Sequence, residues 1–181
     1  MAKAILGYGL GLGLITLAGL PLGFKGLTIH TSGQFNLFII LLRAYSPLLT
    51  PFSSALGYPI IGGSPSLGIL PLAIWISIGC ILGLLLRSAG GAAKAMFLTS
   101  ATVIILWIGS LFLSAPIWPD QYTWLTTISA LAKDLISRPI DLGFILVGPM
   151  IISAAAGQLL EAMRERLMKD RRLEDEYSVL Y

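Results

Sequence analysis

The stretch LGILPLAIWISIGCILGLLL, residues 67–86, runs for 20 residues without a charged side chain and stops at Arg87. A helix crossing a hydrocarbon core of about 30 Å needs about 20 such residues, because it rises about 1.5 Å per residue and satisfies its own backbone hydrogen bonds. Three further stretches read the same way: residues 4–24 between Lys3 and Lys25, residues 95–115 between Lys94 and Asp120, and residues 142–160 between Asp141 and Glu161. A chain of 181 residues that is 56% hydrophobic and 12% charged is not a water-soluble globule. The expected fold class is all-α, an integral membrane four-helix bundle.

Lys3 ahead of an apolar core is also how a secretory leader begins. No small-x-small cleavage site clearly follows that core, so residues 4–24 are read as a retained membrane helix. Orientation comes from Lys and Arg near the span ends, which stay on the cytoplasmic side. The short stretch 87–94 carries Arg87 and Lys94, and the segment after Glu161 carries Arg164, Arg166, Lys169, Arg171 and Arg172. Both belong inside, giving a multi-pass cell-membrane protein with a cytoplasmic C terminus. The connector 116–139 is then external, its Trp118, Tyr122 and Trp124 fit an interfacial aromatic belt, and residues 123–136 read as a short surface helix. Lys133 and Arg138 stand there against the charge rule, offset locally by Asp134 and Asp141.

Residues 35–61 resist this scheme. The run starts apolar, meets Arg43, and is then broken by Pro47, Pro51, Gly57 and Pro59, through which no straight helix passes. One reading is a re-entrant or interfacial hairpin on the outer side, with four spans and both termini inside. The other is a broken fifth span with an external N terminus. Counting basic residues does not separate them. The hairpin is preferred because a lone Arg at mid-bilayer costs about 2.5 to 3.5 kcal/mol on insertion scales.

Gly7, Gly9, Gly11 and Gly13 make a glycine-dense start to the first span. A phosphate-cradling glycine loop needs a strand before it and a helix after it, and neither is expected here. In lipid, glycines four apart let another helix approach closely. At about 100° per residue, Gly7/Gly11 and Gly9/Gly13 fall on nearly opposite faces, so the helix is expected to be gripped from both sides. Gly79/Gly83 and Ser153/Gly157 are similar pairs, explained either by packing within this bundle or by an interface to another subunit. Gly148-Pro149 in the last span is expected to bend it, as a static kink or as a hinge.

The interiors of the four spans hold no ionisable residue of the kind that marks proton or ion pathways. His30 is the sole histidine and falls in a loop, too little for a haem or metal site, and Cys80 is the sole cysteine and reads as a packing residue. Arg43 is either a lipid or anion contact or an arginine snorkelling beside Tyr45. Asp141 and Arg138, flanking Pro139, are expected to cap the helix start or to pair with each other. The net charge of +3 forms no basic stripe with interleaved aromatics, which argues against nucleic-acid binding. No catalytic triad or carboxylate pair stands at useful spacing, so no catalytic residue, cofactor or metal is assigned.

Residues 161–181 hold eleven charges, five basic and six acidic. Leu160, Met163 and Leu167 at helical spacing and the Glu165/Lys169 pair predict that the last span continues as an exposed cytoplasmic helix to about Arg172. The domain organisation expected is a transmembrane part, 1–160, and a charged tail, 161–181. The functional expectation is a non-catalytic accessory or structural subunit of a larger membrane assembly, respiratory or transport-related, with other membrane subunits and lipids as partners. The alternative is a small self-associating channel or transporter that uses residues 35–61.

Overall fold

The computed structural model describes residues 2–23 and 37–178, and these form seven α-helices, two short 3-10 turns and no strand. They are α1 (Ala2–Gly23), α2 (Leu37–Tyr45), α3 (Pro51–Ala55), α4 (Leu70–Leu86), α5 (Ala89–Leu113), α6 (Gln121–Ile136) and α7 (Pro139–Ser178). Phe24, Lys25, His30 and Phe35 lie outside the described residues.

Three helices are long and apolar enough to cross a bilayer: α1 over Ala4–Gly23, α5 over Ala89–Leu113 and α7 over Pro139–Arg166. The helix from the opening stretch is shorter than its sequence implies. Gly68 takes a left-handed φ of +62° and Pro71 falls in the first turn, so α4 starts at Leu70 and has 17 residues. Its rise of about 25 Å lies at the lower limit for a span. Large apolar side chains point away from the packed interior along these helices, among them Ile5, Leu17, Ile105, Phe112 and Ile151. Such outward apolar surface suits a hydrocarbon surround and is out of place in water. The chain is an all-helical membrane protein.

Two boundaries move for identifiable reasons. Residues 89–94 belong to α5, not to a turn, because Ser88 caps the helix by accepting the Gly91 amide at 3.4 Å. The connection from α4 is thus only Arg87 and Ser88, with Arg87 itself in the left-handed region at φ 49°. At the far end, α7 starts at Pro139, ahead of the expected residue 142, and its backbone stays helical to Ser178. It runs through Gly148-Pro149 without a break in the helix.

Contacts fix the directions. Gly7 lies against Leu86 and Gly11 against Leu82, so α1 runs antiparallel to α4. Gly79 lies against Pro149 and Gly83 against Ser153, so α7 runs parallel to α4. The start of α1, the α4–α5 turn and the outgoing half of α7 therefore share one end of the bundle. The other end holds α2, α3 and α6.

Candidate functional site

Residues 42–54, between α1 and α4, are packed into the helix bundle and held there by a polar seam. Leu42, Tyr45, Leu48 and Leu49 are fully or almost fully buried, as are Ser46, Thr50 and Ser54. In a bundle interior each polar group of such a segment needs a partner. The surrounding helices supply several of them. The Trp75 indole of α4 donates to the Leu48 carbonyl at 2.8 Å, and the Trp107 indole of α5 donates to the Ser46 hydroxyl at 2.9 Å. Ser46 in turn donates to the Leu42 carbonyl at 2.7 Å. The hydroxyls of Tyr45 and Thr16 pair at 2.8 Å, joining α2 to α1. Trp75 and Trp107 lie about 8 Å along their helices from that end of the bundle, at about 1.5 Å of rise per residue. Residues 46 and 48 thus meet the helices at this level.

Residues 52 and 53 are anchored by Asp141, in the first turn of α7 and only 2% exposed. Its carboxylate accepts the amides of Phe52 at 2.7 Å and Ser53 at 3.1 Å, and also the Ser53 hydroxyl. A carboxylate near the start of its own helix that also binds free amides of α3 gains at both helix starts. Asp141 does not pair with Arg138. That guanidinium instead binds Asp134 at 2.8 Å and the Pro59 carbonyl at 2.6 Å, which clips the end of the broken segment to α6. Phe52 packs edge-on against Phe144 with ring centres 4.7 Å apart. Gly148 leaves room for that ring, since a Cβ there would run into it.

The small-residue pairs have definite places. A Cβ on Gly83 would collide with the Ser153 carbonyl and come within 2.6 Å of the Ala156 Cβ, and one on Gly79 would sit 3.0 Å from the Pro149 carbonyl. Gly157 lies against Ala89. Gly83 therefore meets both Ser153 and Gly157 while Gly79 meets Pro149, and α4 and α7 touch backbone to backbone. On α1, a Cβ at Gly7 would lie 2.6 Å from Leu86 and one at Gly11 2.8 Å from both Leu82 and Thr99. Among the described residues, Gly9 and Gly13 meet nothing within 4 Å. Among the described residues one face of α1 is packed, through Gly7 and Gly11, and the Gly9/Gly13 face is open.

Arg43 is half-buried in the last turn of α2, where its backbone carbonyl lies under Gly23. Among the described residues no group of three or more His, Cys, Asp or Glu comes together. The buried polar groups of the seam are neutral hydroxyls and indoles, and the one buried carboxylate has its oxygens occupied by amide and hydroxyl donors. This chemistry fastens backbone segments together. Sequence reasoning passed over Trp75, Trp107 and Ser46. Their signal was an indole N–H placed inside an apolar span, where it needs an acceptor.

Comparison with protein-family models, with curated proteins and with solved structures found no match to the chain.

Proposed function

We propose that this protein is a non-catalytic structural subunit of a larger membrane assembly, with α1, α4, α5 and α7 as four spans and residues 37–61 as a re-entrant hairpin. The observation that carries the reading is the open Gly9/Gly13 face of α1. A glycine inside a helix is worse than alanine by about 1 kcal/mol. Gly7 and Gly11 offset that cost through the close approach of α4 and α5. Gly9 and Gly13 have no such contact in this chain, and a helix of a partner subunit seated on them supplies it. The shared end of the α1 start, the α4–α5 turn and the α7 exit supports an even number of spans, with the basic residues on the cytoplasmic side.

The test replaces Gly9 and Gly13 with leucine. Both point into open space, so the monomer keeps its fold and loses no thermal stability, while polypeptides that copurify with the wild-type chain are lost. Unchanged copurification contradicts the reading.

The channel alternative places the broken segment along a pore. Leu42, Tyr45, Leu48 and Leu49 fill the space around that segment in a single copy, which favours a plug over a water path.

A further inference from the structure

At the end of the bundle where α1 starts and α7 leaves, a cleft of about 760 Å³ opens between α1, α4 and α7. Leu6, Leu10, Leu82 and Leu85 form its apolar wall, and Arg87, Ser88 and Arg164 form its polar rim. Gly7 lines the cleft: a Cβ there would lie 2.6 Å from Leu86, so the glycine lets the end of α4 settle against α1.

Both arginines reach this rim for reasons that can be traced. Arg87 ends α4 with a left-handed φ of 49°, a conformation that disfavours side-chain-bearing residues and is usually given to glycine at helix ends. Arg164 sits one turn beyond Leu160 on α7, and helical side chains lean toward the helix N-terminus, which carries its guanidinium back over the cleft. Neither guanidinium is paired with a described residue, and the Arg138–Asp134 ion pair is at the opposite end of the molecule.

We infer that this cleft is a binding site for one anionic phospholipid. Two guanidinium groups at the mouth match a phosphate, which arginine binds through parallel N–H donors. The leucine wall matches an acyl chain. A lipid carries both at the spacing of a membrane surface, and basic pockets between spans at that depth select anionic headgroups. A headgroup with its own cation, as in phosphatidylcholine, repels Arg87 and Arg164, so the site discriminates by charge. This inference requires only that the chain lies in a membrane, and stands apart from the subunit reading.

The experiment is native mass spectrometry of the full chain in neutral detergent, titrated with phosphatidylglycerol or with phosphatidylcholine. One phosphatidylglycerol binds with about thirtyfold preference, the scale set by two basic side chains near an anionic headgroup. R87Q/R164Q abolishes the preference, and R164Q alone, on exposed helix surface, reduces it. R166Q removes the same charge two residues away on another face of α7 and leaves the preference intact. The inference is overturned by equal binding of the two lipids, by an R166Q chain that loses the preference equally, or by glycerol 1-phosphate displacing the lipid at matched concentration.

Discussion

Asp141, at the start of α7, holds the amide of Phe52 at 2.7 Å across 89 positions of sequence, and through it the broken segment is tied to the longest helix of the molecule. The bond belongs to a set in which α1, α4, α5 and α7 each contribute one polar side chain to residues 42–53: Thr16, Trp75, Trp107 and Asp141. This arrangement makes the segment a keystone of the bundle.

Asp141→Ala leaves two amides and a hydroxyl of α3 without their acceptor in a buried site. Unsatisfied buried donors cost about 1 to 3 kcal/mol each, so a loss of about 3 kcal/mol is expected. Asp141→Asn keeps one acceptor oxygen but turns an N–H toward the Ser53 hydroxyl, and falls between. Thermal unfolding in detergent reads the order wild type, Asn, Ala; equal stability of all three contradicts the anchoring role.

The two indoles are not equivalent. Trp107→Phe removes a donor from Ser46, whose hydroxyl still donates to Leu42, and should cost about 1 kcal/mol. Trp75→Phe removes the indole that the buried Leu48 carbonyl accepts from and should cost more, about 1 to 3 kcal/mol. Chemical unfolding of the two variants side by side checks the order.

Gly83→Ala and Gly9→Ala should move stability in opposite directions. The first puts a methyl into the Ser153 carbonyl and pries α4 from α7, an overpacking that costs about 1 to 3 kcal/mol. The second adds a methyl in open space and gains up to about 1 kcal/mol of helix propensity in the isolated chain. Melting curves of the purified variants test both signs.

Asp120 caps α6, accepting the Thr123 hydroxyl at 2.6 Å and the Thr123 amide at 2.7 Å. These bonds, the hydroxyl first, hold its carboxyl below the usual value. A carboxylate whose folded pKa is depressed stabilises above its unfolded pKa of about 3.9 and loses that contribution as the pH falls through the lower folded value. The first turn of α6 should therefore keep constant amide protection from neutral pH down to about pH 4 and fray below it. In Asp120→Ala the protection is low throughout and this acid step is absent.

Spacing alone marks Gly79/Gly83 and Ser153/Gly157 as surfaces that allow backbone contact; the fold sets Gly83 against Ser153 and Gly157, and Gly79 against Pro149. The start of α5 was hidden, because glycines between two basic residues look like a turn. Only the Ser88 cap and the packing of Gly157 on Ala89 make that stretch helical. The course of residues 37–61 was also illegible. Prolines mark where the helix breaks, but the depth of the segment depends on Trp75, Trp107 and Asp141, which are distant in sequence. Asp141 was read as a local cap or a partner of Arg138, since a local pattern carries no information about a third element that uses the same carboxylate.

We propose that the open face of α1 is filled by a helix from another protein. Extraction in mild detergent followed by native mass measurement tests it most directly. With a partner helix seated on that face, the 19.3 kDa chain appears in a larger particle with other polypeptides. A stable lone monomer, or a particle built only of copies of this chain, would contradict it.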